Sequence, residues 1–368
     1  MKKFNTTGVC IPEKHYMADV SKKIREIEKM VEAGKYFIIS KPHQTGKTTI
    51  LYLLRKSLEK MNYIVINITF EDFDQSIFSS TSDFCREFIL TIRDRLKFNG
   101  DTELVNLLEK EVDNIDDFLN LSYLITNLIE KSEKRVVLII DDVDKGYINQ
   151  LFFDFLEMLQ AKFNLAQAER VKTFHSIILA GMHNINDIMI NDSSNEIIYN
   201  SIWNIASEFN IDFELEIKEI ASMLREYSAE RNIELNADEF AEKLYYYTSG
   251  HPFLVSKLAE VIDDEIIQDN ENRWQEKYLD QAVELILKKK LLHFDILIKN
   301  MGKVSELEEM CEKIVIDGRI INYAIVNSVI KQGKTYGLFK KQNGIIKIHN
   351  KIYKQRLLNY LVCRKAYS

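Results

Sequence analysis

Short apolar runs alternate with amphipathic stretches over about the first 210 residues of the chain. Between the runs, apolar residues recur at helical spacing near residues 47–61, 82–97, 116–131 and 148–163. The runs themselves predict strands at Tyr36–Ser40, Tyr63–Phe70, Val136–Asp141, Phe174–Ala180 and Phe209–Phe213. Strands that alternate with helices predict an α/β fold with a mostly parallel sheet that is covered on both faces.

From about Ile217 onward the pattern becomes wholly helical. The predicted helices are Ile217–Arg231, Ala237–Tyr247, Phe253–Asp264 and Lys277–Lys299. Asn236 precedes the second of them, where an asparagine side chain commonly caps the first backbone N–H groups. This region is therefore predicted to be a helical subdomain.

The last part of the chain predicts a small mixed module. Helices near 304–315 and 321–331 are followed by a hairpin, in which Tyr336–Lys341 and Ile345–His349 flank an Asn-Gly pair that suits a type I′ turn. Such helices with a β-wing make a winged helix. The sequence thus predicts an α/β core at 1–214, the helical subdomain at 215–300 and a winged-helix domain at 301–368.

Composition excludes several classes of protein. Of 368 residues, 46% are hydrophobic and 29% are charged, as in globular domains and unlike disordered chains. The longest apolar stretches are far shorter than the roughly 20 residues of a membrane span, and the first residues lack a signal-peptide apolar region. We therefore predict a cytoplasmic protein without membrane contact. The four cysteines are scattered and form no Cys-x-x-Cys pair, which argues against a zinc cluster or a disulfide framework.

The segment Lys41–Thr49 lies between a predicted strand and a predicted helix, and it has the pattern of a phosphate-binding loop. In such loops, backbone N–H groups face the phosphates, Lys47 reaches the β and γ oxygens, and the Thr48 hydroxyl ligates Mg²⁺. Gly46 permits close approach of the backbone to the anion. Lys41 stands where the motif usually has its first glycine. The predicted nucleotide-binding residues of the loop are Gln44, Thr45, Gly46, Lys47, Thr48 and Thr49.

A second motif is the apolar run at 136–140 that ends in carboxylates. A buried strand that delivers Asp141 beside the phosphates suits a Walker B role, with Asp141 holding Mg²⁺. Asp142 occupies the position of the general base, which is commonly a longer glutamate, so weak water activation is expected. Lys47 and Asp142 are therefore the predicted catalytic residues, and Thr48 and Asp141 are the predicted metal ligands.

With these motifs the chain resembles bacterial ATPases with an AAA-like domain, in the broad AAA+ and signal-transduction (STAND-type) group. The resemblance extends over nearly the whole chain and includes Tyr16–Asp19, Ser176–Gly181 and Tyr247–Phe253. It implies an ATP switch with a helical lid over a P-loop core. It also implies further nucleotide contacts, which are a γ-phosphate sensor at His183 or Asn184, a lid element at Gly250, His251 and Pro252, and Tyr16 near the adenine.

One departure from this group concerns the arginine finger of ring-forming members. From Gly181 to Asn210 the sequence contains neither arginine nor lysine, and Arg170 is a poor substitute. A finger that acts in trans raises hydrolysis by several orders of magnitude. A slow switch is therefore predicted rather than a constitutive hexameric motor.

Charge is uneven along the chain. The net charge is −7, yet no acidic residue follows Asp317, and the lysines and arginines beyond it contribute +11. DNA binding would place 322–331 in a groove and Lys340, Lys341 and Lys347 on phosphates. The alternatives are docking on the acidic body of the protein or on a protein partner, and a plain solvated surface.

The sequence thus predicts a Mg²⁺-dependent ATPase with slow turnover that acts as a regulatory switch. Its expected partners are ATP, duplex DNA bound through residues 318–368, and a protein partner. The alternative is a nucleotide-binding scaffold or adaptor for protein or DNA assembly with negligible turnover, which Asp142 and the missing finger both favour.

Overall fold

A computed structural model describes residues 1–147, 149–185, 190–191, 197–198, 203–267 and 272–367. The chain divides into two compact units. The sheet unit comprises Ile24–Ser40 and Ile50–Ile211, and the C-terminal unit comprises Met1–Lys23, Lys41–Thr49 and Asp212–Ser368. The phosphate-binding loop thus belongs to the C-terminal unit. The predicted domain boundaries after residues 214 and 300 remain predictions.

A four-stranded parallel sheet organises the sheet unit. Its strands are β1 (Phe37–Ser40), β2 (Ile64–Thr69), β3 (Val136–Asp141) and β4 (Ser176–Gly181), in the order β1-β4-β3-β2. A separate antiparallel pair is formed by β5 (Ile190–Asn191) and β6 (Ile197–Ile198). The prediction of an α/β fold with a mostly parallel sheet is confirmed, and the carboxyl ends of β1–β4 meet at one edge.

Both faces of this sheet are buried, which explains the nearly continuous apolar runs. Every residue of β3 is buried, and so is every residue of β4. On β2, Ile64, Ile66 and Ile68 belong to the large core that also contains Phe70, while Val65 points to the other face and is buried as well. A parallel sheet needs apolar residues on both faces because helices cover both.

The helices of this part of the chain follow the strands in alternation. They are α1 (Ser21–Glu32), α2 (Lys47–Lys60), α3 (Thr81–Asn99), α4 (Thr102–Glu111), α5 (Phe118–Lys131) and α6 (Gln150–Gln167). The sequence pattern predicted α2, α3, α5 and α6 but not α1 or α4. α3 begins where the Ser80 hydroxyl accepts the Asp83 N–H and ends at Gly100, whose φ of 85° terminates the helix.

The predicted strand Phe209–Phe213 is wrong. Residues 209–213 carry no strand in the structure. One isolated bridge lies just before them, between Phe37 and Ser207, where the Ser207 N–H donates to the Tyr36 carbonyl at 2.7 Å. Phe209 instead stacks on the Phe37 ring, with the centroids 5.7 Å apart. The apolar signal in the sequence therefore reflects ring packing at the sheet edge.

The rest of the C-terminal unit is mainly helical. Its helices are α7 (Ile217–Arg231), α8 (Ala237–Thr248), α9 (Pro252–Val261), α10 (Glu276–Lys288), α11 (Leu292–Gly302), α12 (Ser305–Val315), α13 (Ser328–Thr335) and α14 (Lys351–Tyr367). The Asn236 side chain accepts the Glu239 N–H at 3.4 Å, so the predicted cap of α8 is confirmed. α7 begins with a capping box between Glu216 and Glu219.

The single helix predicted over Lys277–Lys299 is wrong, because the chain breaks into α10 and α11. Lys289 has an extended backbone with φ of −76° and ψ of 146°. After this break, His293, Phe294 and Leu297 of α11 are buried. Tertiary packing thus overrides a periodicity that local spacing alone would continue.

The helix predicted near 321–331 is partly wrong, because its first residues form a strand. β7 (Ile321–Asn322) pairs with β9 (Ile345–Ile348), which also pairs with β8 (Phe339–Gln342) in an antiparallel sheet of order β7-β9-β8. The predicted hairpin is confirmed. Asn343 and Gly344 have φ of 51° and 77°, the positive values that a type I′ turn requires at both central residues.

Within the described ranges, no helix is long and apolar enough to cross a membrane. In the same residues, no group of three or more His, Cys, Asp or Glu side chains is arranged to hold a metal ion. The four cysteines are free thiols, of which Cys85 and Cys311 are buried.

Candidate functional site

The phosphate-binding loop has a compact conformation between Ser40 and α2. Gln44 and Gly46 both have positive φ, 58° and 85°, and the Thr45 hydroxyl donates to the Pro42 carbonyl at 2.8 Å. The φ of Gly46 lies in a region of backbone conformation where residues other than glycine are strained. These features close the loop tightly just before the first turn of α2, whose N–H groups have no intrahelical acceptor.

Lys47 lies at the start of α2 and is 9% exposed. Its ammonium group donates to the carbonyl oxygens of Lys41 at 2.8 Å and Pro42 at 3.0 Å. These two acceptors are carbonyl oxygens of the loop itself. A phosphate oxygen carries full negative charge and would be a stronger acceptor than a carbonyl.

The two threonines after Lys47 have different surroundings. Thr48 is exposed. Thr49 accepts the Cys10 N–H on its hydroxyl at 3.0 Å, so it anchors the N-terminal segment. The predicted nucleotide contact of Thr49 remains a prediction.

Lys41, which replaces the usual first glycine of the loop, turns its side chain toward Asp212 and Phe213. Its Nζ lies 3.6 Å from Asp212 Oδ1 and 5.6 Å from the centroid of the Phe213 ring. The loop therefore accommodates a long side chain at this position by directing it to Asp212 and Phe213, which are distant in sequence.

Two later segments of the C-terminal unit contact the loop. A Cβ at Gly46 would lie 3.9 Å from the Pro252 ring, and a Cβ at Gly337 would lie 3.0 Å from Pro42 Cβ. Pro252 begins α9, and Gly337 precedes β8. Predicted site residue Pro252 is thus close to the loop, together with a part of the basic C-terminal region that the sequence did not associate with it.

Gly250 and His251 have structural roles in addition to the predicted nucleotide contact. A Cβ at Gly250 would lie 2.2 Å from the Leu215 carbonyl oxygen, and φ is +78°, so only glycine fits. His251 is 3% exposed and its Nε2 lies 3.1 Å from the Tyr353 hydroxyl. The nucleotide contacts of both residues remain predictions.

Tyr16 lies in an aromatic core. Its ring is 5.1 Å from Phe4 and 5.3 Å from Tyr227 between centroids, and the residue is 2% exposed. A contact with adenine remains a prediction, and it would require this cluster to open.

In the sheet unit, the carboxyl ends of β2, β3 and β4 carry a polar group that we call the carboxylate edge (Thr69, Asp141, Asp142, Asp144 and His183). Asp141 ends β3 and is 5% exposed, and its Oδ1 accepts the Asp142 N–H at 2.9 Å. Asp142 has a φ of 54°, and its Oδ2 accepts the Thr69 hydroxyl at 3.0 Å. The predicted base is thus oriented by a threonine that sequence reasoning missed.

The second part of the carboxylate edge joins Asp144 to the predicted sensor. The Asp144 carboxylate accepts three hydrogen bonds. The donors are His183 Nδ1 at 2.8 Å and the backbone N–H groups of Met182 at 2.6 Å and His183 at 3.0 Å. Burial raises the pKa of Asp144, but these hydrogen bonds outweigh it and hold the pKa below its usual value. Gly181 allows this approach, since a Cβ there would lie 2.8 Å from Asp144 Oδ2.

Asp144 could have been found from the sequence, because it is a third carboxylate in the run that begins at Asp141. Thr69 has a weaker signal, which is its position at the end of a predicted strand. Asn184 follows His183 directly, and its predicted role as an alternative sensor remains a prediction.

The C-terminal unit contains a buried histidine–tyrosine cluster (His251, His293, His349 and Tyr353). The Tyr353 hydroxyl lies 2.5 Å from His293 Nε2 and 3.1 Å from His251 Nε2, and His349 Nε2 pairs with Glu214. Burial lowers the pKa of His251 well below its usual value, and His293 and His349 lower it further. Burial, His349 and His43 together lower the pKa of His293 to about 3. Both rings are therefore neutral at pH 7.

The cations after Asp317 differ in how far the protein itself engages them. Several are engaged by the protein itself: Lys340 donates to the Ser249 hydroxyl at 2.7 Å, Arg356 donates to the Leu287 carbonyl, and Arg364 and Lys365 pair with Glu308 and Glu312. Lys341 and Lys347 are exposed, whereas Lys340 is only partly so. Of the three lysines expected on phosphates, Lys340 is the one whose ammonium group is directed into the unit.

Comparisons with known proteins agree with this fold. A family model described as an AAA-like domain matches residues 7–359. The Walker-type ATPase paby2304 of Pyrococcus abyssi shares 12% identity at a TM-score of 0.60, over 96% of this chain and 99% of that one. The Aeropyrum pernix ORC2 protein, solved as ADPNP–ADP complexes, shares 10% identity at a TM-score of 0.58, over 99% and 98%. No curated protein sequence matches the chain.

Proposed function

Because the chain belongs to the AAA-like domain family, we propose that it is an ATP-dependent regulatory switch that hydrolyses ATP slowly and binds duplex DNA through a C-terminal winged helix. The observation that carries the proposal is the closed phosphate-binding loop with the Lys47 ammonium held over its own carbonyls. A phosphate oxygen that reaches this ammonium group would be a stronger acceptor than these two carbonyls. The fold shared with P-loop ATPases supports nucleotide binding.

The residues present fit a magnesium nucleotide. Loop N–H groups, the Lys47 ammonium and the Thr48 hydroxyl are donors and ligands that phosphates and Mg²⁺ prefer, and Asp141 supplies a buried carboxylate. Bound Mg²⁺ would neutralise the charge that develops on the phosphates. In this proposal Lys47 binds the β and γ phosphates, Thr48 and Asp141 hold the metal ion, and Asp142, oriented by Thr69, accepts a proton from water.

Slow turnover is supported by two features. Asp142 is one methylene shorter than the usual glutamate, and a displacement of about 1 Å can lower a rate roughly a hundredfold. The sequence also has no arginine or lysine from Gly181 to Asn210, where a finger is expected. His183, held by Asp144, is the group we propose as the γ-phosphate sensor.

The switch itself is supported by contacts of the phosphate-binding loop inside the C-terminal unit. Pro42 lies against Gly337, directly before the β8–β9 hairpin, and Gly46 lies beside Pro252 at the start of α9. A loop that moves when it binds phosphates would therefore displace both segments. We propose that α7–α10 act as the lid, and that α12, α13 and the sheet β7-β9-β8 form the winged helix that receives the signal.

The test is the Lys47→Ala variant in a thermal unfolding assay with and without Mg-ATP. With Mg-ATP at about 100 times its Kd, the wild-type protein should gain about 2.7 kcal/mol of unfolding free energy. The variant should lose most of this gain and all turnover. Lys56→Ala is the matched control, since Lys56 lies on α2 with a half-exposed side chain and should respond to ATP as wild type does. Equal stabilisation of the Lys47 variant and wild type would refute the assignment.

A nucleotide-binding scaffold with negligible turnover is the second candidate. The short Asp142 side chain on a left-handed backbone favours it. The two candidates differ in one measurement, because a scaffold should bind Mg-ATP with full stabilisation yet show the same turnover in wild type and Asp142→Asn.

A further inference from the structure

An exposed apolar turn lies between β7 and α13. The turn is Ala324–Asn327, closed by a hydrogen bond from the Asn327 N–H to the Ala324 carbonyl at 3.1 Å. Its two central residues, Ile325 and Val326, are 76% and 91% exposed. Central turn positions favour glycine, proline, asparagine and aspartate, and β-branched residues there gain nothing from the fold. These two side chains are therefore displayed without a structural reason within the unit.

The turn is held in place from both sides. On one side, β7 pairs with β9, and the Tyr323 N–H donates to the Gly344 carbonyl at 2.9 Å. On the other side, the Asn327 side chain caps α13 by accepting the Ile330 N–H at 2.9 Å. The apolar tip is thus a preorganised feature, which reduces the entropy that binding would cost.

Two lysines contact the tyrosine that precedes this tip. The Nζ atoms of Lys334 and Lys341 are 5.3 Å and 4.6 Å from the centroid of the Tyr323 ring, and both residues are exposed. Tyr323 directly precedes the turn. Since the sequence has no acidic residue after Asp317, these cations have no carboxylate partner from their own segment. The surface therefore combines an exposed apolar tip with two nearby positive charges.

We propose that this turn enters a groove of duplex DNA, where Ile325 and Val326 contact base edges and Lys334 and Lys341 bind the flanking phosphates. The inference rests on the proposed DNA binding and assigns its contact element. Thymine presents an apolar methyl group in the major groove, and aliphatic side chains also insert at base steps in the minor groove. Both cations lie over the ring of Tyr323, the residue that directly precedes the turn, so they would be near the phosphates of a groove that holds the tip. A flat anionic membrane is a poorer fit, because only the two apolar side chains of this short tip would insert into it.

The experiment measures affinity of the full-length protein for labelled duplexes, one A·T-rich and one G·C-rich, from about 50 to about 200 mM salt. The double variant Ile325→Ser, Val326→Ser should bind about tenfold to a hundredfold more weakly with an unchanged salt slope, because its contacts are not ionic. Lys341→Ala should flatten the plot of log affinity against log salt by about 0.9. Lys340→Ala should leave that slope unchanged, since its ammonium group binds Ser249.

Val362→Ser is the matched control for the apolar variants, because Val362 is a valine on α14 with 51% exposure. It should bind DNA as wild type does, and the melting temperatures of all variants should match. If wild type binds DNA and the double variant binds equally well at every salt concentration, the inference fails while the proposed DNA binding stands. If wild type binds neither duplex, both fail. If it instead sediments with phosphatidylserine vesicles, and the double variant does not, the turn is a membrane contact and the inference is overturned.

Discussion

The carboxylate edge of the sheet unit and the histidine–tyrosine cluster of the C-terminal unit both hold titratable side chains by hydrogen bonds, but they differ in exposure. At the carboxylate edge, the side chains of Asp144 and His183 are 28% and 40% exposed. In the cluster, His251, His293 and Tyr353 are 3%, 7% and 1% exposed. Asp144 and His183 are therefore accessible to a ligand, and the residues of the cluster are not.

This difference separates groups available for chemistry from groups that hold elements together. The hydrogen bonds of Asp144 keep it ionised, with its pKa below the usual value, at the strand ends where a phosphate sensor is proposed. The cluster joins the start of α9, α11 and α14 through one phenol, and burial lowers the pKa of His251 and His293 so that both are neutral at pH 7. A buried polar group is costly unless its hydrogen bonds are made, so such a network specifies one packing of these helices.

The largest effect is expected at the carboxylate edge. Asp142→Asn removes the proposed base but retains the shape of the side chain, so ATP hydrolysis should fall about 100-fold or more while Mg-ATP binding persists. Asp142→Glu lengthens the side chain toward the usual position and should hold or raise the rate. Single-turnover hydrolysis with radiolabelled ATP measures both.

These variants also test the contrast between the two groups. The melting temperature of Asp142→Asn without ATP should be close to that of wild type, because the side chain is at an accessible edge. Equal turnover of this variant and wild type would remove Asp142 from the mechanism.

The next largest effect is a loss of stability at acid pH that the histidine–tyrosine cluster causes. The folded-state pKa of His293 is about 3, below the usual 6.5, so between these values the unfolded chain binds more protons than the folded one. The stability from this group is complete above pH 6.5 and is lost as pH falls, by about 2 kcal/mol at pH 5. His251 acts in the same direction. Urea unfolding at pH 7 and pH 5 measures the loss.

Two variants determine whether the cluster is responsible. His293→Gln cannot be protonated and should show a smaller loss of stability between pH 7 and pH 5. Tyr353→Phe removes the shared hydroxyl but keeps both histidines buried, so it should be less stable at both pH values and retain the loss. An identical acid response in His293→Gln and wild type would contradict the assignment.

The smallest effect is expected at Thr69. Thr69→Val deletes the hydroxyl that donates to Asp142 Oδ2 at 3.0 Å and preserves the volume of the side chain. Hydrolysis should fall about tenfold, as expected for one hydrogen bond to a charged group, while Kd for ATP is unchanged. Thr102→Val, at the exposed start of α4, is the control and should hydrolyse ATP at the wild-type rate. A loss as large as that of Asp142→Asn would mean that Thr69 does more than orient the base.

Much of the fold was predictable because its signals are local. The strands β1–β4, helices such as α7 and the Asn343-Gly344 turn follow from apolar periodicity and backbone preference, which neighbouring residues determine. The predicted strand at 209–213 and the single helix at 277–299 were wrong for the opposite reason. Phe209 stacks on Phe37, far away in sequence, and the break at Lys289 allows α11 to bury Phe294 and Leu297.

For the candidate site, the sequence by itself determined the residue types and their order, which are a Gly-Lys-Thr loop after a strand and paired aspartates after another. Short-range spacing is sufficient to predict the phosphate-binding loop, because the phosphates are bound mainly by backbone N–H groups of consecutive residues. The tertiary structure decided the partners of those residues. It brought Thr69 to Asp142, His183 to Asp144 and Gly337 to Pro42. It also placed Tyr353 between two histidines and joined the Lys340 ammonium group to the Ser249 hydroxyl. Each of these contacts joins residues distant in sequence, so only the packing of whole elements determines which side chains become buried, charged or free to bind a ligand.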